Sequence, residues 1–207
     1  MAKENTNKIK ICVSGSAEMG FLSPQDYEIA KELGREIARQ GAITVTGATT
    51  GFPLWAAMGA KEAGGVSIGI SPASNQTEHT DTYRLPIDNM DFIVYTGFGY
   101  AGRDLLLVRS SDAVIIGAGR IGTINEFTDA YEDGKVIVIL RGDWDTDEVL
   151  QNVIEKSHRV NDRIFYADTP KDAVAKVVEM VTKLRKEHQE VYSNGDVPMG
   201  KKEQQIL

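Results

Sequence analysis

Short apolar segments that alternate with helical segments constrain the fold of this chain more than any other sequence feature. The apolar runs are mostly β-branched, and the segments between them carry apolar residues at helical spacing. Strands are predicted at 8–15, 42–47, 66–71, 91–97, 113–117 and 135–140, with an edge strand at 163–168. Helices are predicted at 23–40, 53–64, 101–111, 123–134, 147–156 and 169–189. Apolar strands separated by helices form a parallel sheet covered on both faces, so we expect an α/β fold with a Rossmann-like, doubly wound parallel sheet.

The length of the chain fits one domain. The 207 residues are enough for a sizeable core and slightly few for two domains. We expect a polar N-terminal tail at 1–8, a single Rossmann-like nucleotide-binding domain at 9–190 and a flexible C-terminal tail at 191–207. The segment 72–90 is polar and turn-rich.

Charge and composition exclude several classes of function. The net charge of −7 argues against nonspecific binding to nucleic acid or to an anionic membrane. The start of the chain lacks the apolar run of a signal peptide, and no stretch is long and apolar enough for a membrane span. Cys12 is the single cysteine, which is typical of a buried thiol in a reducing cytoplasm. Because His79, His158 and His188 are widely separated, we expect no metal site, and we expect no cofactor.

Glycine and small hydroxyl residues follow four of the predicted strands, at 14–20, 46–53, 96–104 and 117–123. In a parallel sheet the ligand lies beyond the carboxyl ends of the strands, where these turns meet. Backbone N–H groups at glycine turns and helix starts bind anions, although glycine is also an ordinary way to leave a strand. We therefore predict phosphate or nucleotide binding by Gly15, Ser16, Gly47, Thr50, Gly51, Gly119, Gly122 and Thr123.

The segment GAGRIG, 117–122, has the G-x-G-x-x-G spacing of a dinucleotide-binding turn. It follows the fifth predicted strand rather than the first, and Glu126 in the following helix would repel a pyrophosphate. The acidic residue expected at the end of the next strand is also displaced, since Arg141 precedes Asp143. We therefore interpret the turn as a cradle for one phosphate, held by the backbone of Gly119–Thr123, and keep NAD(P) binding as an alternative.

Four segments resemble the Lonely Guy (LOG) family of cytokinin-activating phosphoribohydrolases, whose relatives long carried a lysine decarboxylase label. AGRIGTINE at 118–126 is similar to the family motif PGGxGTxxE. TGATTGFPLWAAMGAKEAGG at 46–65 is similar to the GGGxxGxM segment and the helix after it. ICVSGSA at 11–17 and GRDLLLVRSSDAVI at 102–115 resemble the first strand and the arginine-bearing helix.

The resemblance implies that Arg103 and Glu126 are the catalytic pair of an N-glycosidic hydrolase acting on nucleoside 5′-monophosphates. A carboxylate stabilises the oxocarbenium-like centre formed when the ribosyl–base bond breaks, and an arginine holds the carboxylate or the phosphate. Two structural alternatives remain: Glu126 complements a helix N-terminus, or Arg103 forms a surface ion pair. The resemblance also implies a homodimer or higher homo-oligomer, and the helices near Trp55 and at Leu105–Val108 are apolar enough to bury a partner.

The chain departs from the LOG pattern at several positions, which indicates a divergent branch. Ala118 and Arg120 replace a proline and a glycine of the motif, and Asp104 replaces a lysine. The negative charge of Asp104 near a phosphate site favours a second hypothesis, a non-catalytic nucleotide sensor or carrier.

A decarboxylase is disfavoured because no lysine stands at a strand end to form a Schiff base. Tyr83, Arg84 and Trp55 are weak candidates for a base pocket.

Overall fold

The computed structural model describes residues 7–159 and 161–193 of the chain. The strands are β1 Lys10–Ser14, β2 Ile43–Thr46, β3 Val66–Ser71, β4 Phe92–Tyr95, β5 Ala113–Ile116, β6 Val136–Leu140 and β7 Ile164–Ala167. The helices are α1 Pro24–Arg39, α2 Gly51–Glu62, α3 Gly99–Ser110, α4 Ile121–Glu132, α5 Thr146–Lys156 and α6 Pro170–Ser193. One π-helical turn, Glu78–Thr82, lies between β3 and β4.

The strands form one parallel sheet in the order β4-β3-β2-β1-β5-β6-β7. The chain therefore runs from β1 outward to β4, returns to place β5 beside β1, and then runs outward in the opposite direction. The loops after β1 and β5 diverge at this switch point, where ligands bind in doubly wound sheets. The predicted Rossmann-like α/β fold with a single sheet is confirmed.

Each face of the sheet packs against its own group of helices. On one face, side chains such as Ile11, Val13 and Val138 form a buried cluster with α1, α2 and α6. On the other face, Cys12 and Ile116 join a buried cluster with α3, α4 and α5. Alternate residues of β1 point into opposite clusters, which explains why the central strands are apolar throughout.

Local sequence signals account for where several elements begin. Ser23 and Asp26 form a capping box at the start of α1, with Pro24 as its first residue, as the sequence predicts. The backbone N–H of Asp172 donates to the Thr169 hydroxyl at the start of α6 (3.1 Å). Helix α2 begins at Gly51, earlier than the predicted start at Pro53.

The predicted tails lie mostly outside the described residues, which begin at residue 7 and end at 193. Helix α6 continues to Ser193, past the predicted domain boundary at residue 190.

Three further sequence expectations can be compared with the described residues. The Cys12 thiol is fully buried, as predicted. No helix within 7–159 and 161–193 has the length and apolar character to cross a membrane. The same residues contain no group of three His, Cys, Asp or Glu side chains that could hold a metal ion.

The buried ring of His79 contacts the Ser71 hydroxyl (2.8 Å) and the carbonyl oxygen of Pro86 (2.9 Å), so it anchors the segment between β3 and β4.

Candidate active site at the carboxyl edge of the sheet

The turns that follow β1, β2 and β5 surround a cavity of about 320 Å³ together with the start of α3. The cavity lies at the switch point of the sheet. The predicted site residues that line it are Gly15, Ser16, Gly47, Arg103, Gly122, Thr123 and Glu126. Gly119 lines a larger neighbouring cavity of about 700 Å³. Thr50 and Gly51 line neither of these two cavities.

A buried cluster of charged groups forms one wall of the smaller cavity. Arg103 Nη1 donates to Glu126 Oε1 (3.1 Å) and pairs with Asp104 Oδ1 (2.8 Å). The Ser14 hydroxyl donates to the other oxygen of Glu126, and Asn125 Nδ2 donates to Asp104 (3.0 Å). The structure therefore brings the two predicted catalytic residues together, and it gives one guanidinium two carboxylate partners.

Burial dominates the electrostatics of this cluster. Glu126 is 7% exposed, Arg103 4% and Asp104 6%. Burial raises the pKa of Glu126 from 4.5 to about 7; the positive charge of Arg103 opposes the shift, and the negative charge of Asp104 adds to it. Burial, followed by the nearby charge of Glu126, also raises the pKa of the Cys12 thiol. A carboxyl group with a pKa near 7 is suited to exchange protons at neutral pH.

The geometry decides against both structural alternatives for the predicted pair. Helix α4 begins at Ile121 and has no acidic residue in its first turn, so Glu126 does not complement the helix N-terminus. Its position beyond the first turn also weakens our argument that it would repel a pyrophosphate bound there. Arg103 is buried, and its Nε has no hydrogen-bond partner among the described residues, which is unlike a surface ion pair.

Several glycines around the cavity are required by close packing. A Cβ atom on Gly47 would come closer than 3.0 Å to the guanidinium of Arg103. A Cβ on Gly15 would meet the ring of Phe52 at 2.8 Å. Gly51 has a φ of +69° and faces the backbone of Ser16, whose carbonyl oxygen accepts from the Phe52 N–H (2.9 Å). Because these glycines have no side chain, the groups named above can lie close to their backbone. The glycines therefore shape the cavity through packing, independently of any ligand that their N–H groups bind.

The turn before α4 is partly occupied by contacts within the protein. The Gly119 N–H donates to the hydroxyl of Thr146 (2.8 Å), so this donor is already satisfied. By contrast, Arg120 provides no side-chain cap to α4, and a Cβ on Gly122 would meet no atom of the described chain within 4 Å. The first-turn N–H groups of a helix lack partners within the helix. The start of α4 between Ile121 and Thr123 is therefore the part of the turn best placed to bind an anion.

Two hydroxyl groups of the predicted cradle have local partners. The Ser16 hydroxyl accepts from the Glu18 N–H (3.0 Å), which fixes the turn after β1. The Thr50 hydroxyl donates to the carbonyl oxygen of Ala17 (2.7 Å) and joins the start of α2 to the same turn.

Sequence reasoning missed residues that complete the site. Ser14 is the last residue of β1, and a hydroxyl at a strand end was the available signal for it. The sequence indicates a negative charge at Asp104 near the phosphate site, but not that Asp104 shares Arg103 with Glu126. Tyr100 lines the cavity, with the Arg103 guanidinium 5.8 Å from its ring centre, and Tyr83 packs against that ring.

The other residues considered from the sequence lie elsewhere. Trp55 packs against Tyr27 of α1 (ring centres 5.2 Å apart), so it belongs to the interface between α1 and α2. Arg84 adopts a φ of +55° in the segment after the π-helical turn and lines neither cavity. Arg141 pairs with Asp168 at 3.3 Å and lines neither cavity.

The fold agrees with the comparison against known families. The sequence profile of the SLOG cluster4 family matches residues 8–174. The chain belongs to this family. The predicted relation to a divergent branch of LOG-like proteins is confirmed. An uncharacterized protein from Archaeoglobus fulgidus is 32% identical over 133 residues, which are 64% of this chain and 82% of the relative.

Solved structures with the same fold include proteins that bind a molybdenum cofactor. The molybdenum cofactor binding protein from Rippkaea orientalis is 29% identical with a TM-score of 0.68, covering 86% of this chain and 98% of its own. The molybdenum cofactor carrier protein from Chlamydomonas reinhardtii is 27% identical with a TM-score of 0.68, covering 85% of this chain and 99% of its own. The SLOG cluster4 chain thus shares its fold with binding and carrier proteins.

Proposed function

We propose that this protein is an N-glycosidic hydrolase that releases the base from a nucleoside 5′-monophosphate. The observation that carries the proposal is Glu126, a buried carboxyl with a pKa near 7 that faces a cavity beside an uncapped helix start. Arg103 and Ser14 hold both of its oxygens, so the carboxyl group is fixed before a substrate arrives. A preorganised charge of this kind stabilises positive charge that develops in a transition state.

In the proposed reaction, the bond between C1′ of the ribose and a ring nitrogen of the base breaks. Its electron pair leaves with the base, and a water oxygen forms the new bond to C1′. One proton of that water ends on the base, so the products are free base and ribose 5-phosphate. Ionised Glu126 stabilises the oxocarbenium-like sugar and orients the water or the ribose hydroxyls. Arg103 acts as a positioning residue because its guanidinium is engaged with carboxylates.

The phosphate of this substrate is assigned to the start of α4. The first-turn N–H groups there form a site for anions, and Gly122 leaves open space above them. Gly15, Ser16 and Gly47 line the same cavity. We propose a free nucleotide rather than nucleic acid as the ligand, since the chain carries a net charge of −7.

A second candidate function is a carrier or sensor that binds a phosphorylated ligand without turnover. Asp104 favours it, because this carboxylate competes with Glu126 for Arg103 and adds negative charge beside the phosphate site. The named binding and carrier proteins of the same fold also support it.

The two candidates are separated by incubating the pure protein with a panel of nucleoside 5′-monophosphates and detecting free base by chromatography. The hydrolase releases base from at least one member, and the Glu126→Gln variant does not. A protein that binds a nucleotide in calorimetry but never releases base is a carrier or sensor. The Glu62→Gln variant, altered in an exposed carboxylate of α2 far from Glu126 in the chain, is the matched control for the loss of one charge.

We also propose that the protein assembles as a homodimer through β4 and α3. Leu107 and Val108 are buried in the core of their own chain. The surface of α3 that a partner could cover therefore includes fewer apolar residues than the sequence predicts. The large apolar side chains exposed on β4, on α3 and in the turn between them are Phe92, Val94, Phe98, Tyr100 and Leu106. Because Tyr100 lines the smaller cavity, a partner here would border the site. Light scattering should report twice the chain mass of 22.7 kDa, whereas a single chain mass at micromolar concentration would contradict the dimer.

A further inference from the structure

The larger cavity, about 700 Å³, lies beside the proposed catalytic site and contains none of the proposed catalytic residues. It is bordered by the loop after β1, the start of α4 and the segment between β6 and α5. Its volume is within the range of about 300–1,000 Å³ that is typical of small-molecule sites. Glu18, Arg120 and Ile121 line both cavities, so the two cavities adjoin at this boundary.

Large apolar side chains are exposed inside this cavity. Phe21 is 47% exposed, Ile121 79% and Val149 39%, and the Trp144 ring forms part of the same lining. Apolar groups gathered in a concave surface mark a binding site more often than apolar groups scattered over a convex one. Two aromatic rings with aliphatic neighbours suit a flat ligand group.

The polar groups of the cavity are mainly acceptors. Asp143 and Asp145 line it as exposed carboxylates, and ionised carboxylates accept hydrogen bonds without donating them. Arg120 is the single cation in the described lining, and it pairs with Glu18 while its guanidinium lies 5.8 Å from the Phe21 ring centre. This lining disfavours a phosphate and favours a group that brings N–H donors.

We propose that the larger cavity is the subsite for the base of the nucleotide, and that it selects bases with an exocyclic amino group. The inference rests on the proposed function, which places the phosphate at the start of α4 and the ribose beside Glu126. From that position the base reaches the larger cavity across the boundary formed by Arg120 and Glu18. The base packs against Phe21 and Ile121, and its amino group donates to the carboxylates on the rim.

The test uses Trp144, which is one of only two tryptophans in the chain. A Trp55→Phe, Glu126→Gln protein keeps Trp144 as the single indole and does not consume its ligand. We expect AMP and GMP to change the Trp144 emission as they bind. Ribose 5-phosphate, which lacks a base, should bind in calorimetry and leave the emission unchanged.

Selectivity is tested with a matched pair of carboxylate variants in the same protein. Asp143→Asn should weaken AMP binding by about tenfold, the scale of one hydrogen bond to a charged group. It should leave ribose 5-phosphate binding unchanged and reduce the preference for AMP over IMP, whose base lacks the amino group. Glu148→Gln, at an exposed position of α5 outside the cavity lining, should change neither affinity.

The outcomes separate this inference from the proposed function. Base release by the wild-type protein with no Trp144 response to AMP overturns the subsite and leaves the hydrolase. A Trp144 response and an Asp143 effect without base release support the subsite and overturn the hydrolase. Absence of binding by every nucleotide overturns both, and equal effects of Asp143→Asn and Glu148→Gln overturn the selectivity.

Discussion

The exposed faces of α1 and α2 carry a network of ion pairs, whereas the candidate site holds a buried cluster in which carboxylates outnumber the cations. In the surface network, Glu62 contacts Lys31 (2.6 Å) and Arg35 (2.7 Å), and Glu32 contacts Arg35 (3.0 Å) and Arg39 (2.6 Å). Hydrogen bonds from these cations lower the pKa of both glutamates. Each carboxylate there has two cationic partners and remains in contact with water.

The buried cluster has the opposite balance. Arg103 is shared by Glu126 and Asp104, and burial raises the pKa of Glu126 although a cation touches it. When water is excluded and one cation is shared by two carboxylates, the free-energy cost of desolvating a carboxylate exceeds the free energy gained from its ion pair. Exposed pairs of the first kind contribute little to stability. Buried carboxyl groups with a raised pKa, like that of Glu126, occur more often at functional sites.

The largest effect that we expect is the loss of turnover in Glu126→Gln. The substitution keeps the shape and hydrogen-bonding reach of the side chain but removes its charge, so the rate of base release should fall by about two orders of magnitude or more. Nucleotide affinity should hold, because Glu126 lies beyond the first turn of α4 and the N–H groups assigned to the phosphate are kept. Base release and calorimetric titration measure the two quantities. A variant that hydrolyses as fast as the wild type removes Glu126 from the mechanism.

The second prediction concerns the stability of the same variant as a function of pH. The pKa of Glu126 is raised from 4.5 to about 7, so its contribution to folding is fully present below pH 4.5 and is lost as the pH rises to about 7. Glutamine does not ionise, so Glu126→Gln should gain stability relative to the wild type across this window, by about 3 kcal/mol at pH 8. Urea unfolding at pH 4, 6 and 8 checks this, and a difference that does not vary with pH contradicts it.

The third prediction separates the effect of Asp104 from that of burial. The charge of Asp104 raises the pKa of Glu126, and its removal also frees Arg103 for Glu126 alone. Asp104→Asn should therefore lower the apparent pKa in the kcat/KM profile by about one unit. If ionised Glu126 is the active form, activity then persists to lower pH. An unchanged profile would show that burial alone sets this pKa.

The smallest effect is expected in the surface network. Glu62→Gln should reduce stability by less than about 1 kcal/mol at neutral pH, as exposed ion pairs do. Its pH dependence should have the opposite sign to that of Glu126, because a lowered pKa contributes stability above the unfolded value of 4.5 that is lost as the pH falls. Urea midpoints at pH 7 and pH 3 test this. A loss as large as the Glu126 effect would remove the contrast between the two regions.

Several residues of the site could be predicted because they directly follow predicted strands in the sequence. The turns after the strands meet at one edge whenever a sheet is parallel, so Gly15, Gly47 and Gly122 were expected to lie around one cavity. The LOG resemblance implied that Arg103 and Glu126 act together, with the arginine holding either the carboxylate or the phosphate, and the structure places Arg103 3.1 Å from Glu126.

The sequence by itself determined the alternation of strands and helices, the capping of α1 by Ser23 and Asp26, and the parallel sheet, because these depend on periodicity and on neighbours in the chain. Only the tertiary structure decided that Asp104 shares Arg103, that Thr146 occupies the Gly119 N–H, and that a second cavity adjoins the first. Burial and shared partners arise between elements distant in sequence. The pKa of Glu126 depends on its burial and on the partners that it shares. A pattern along the chain contains information on neither of these, because both arise from contacts between distant elements.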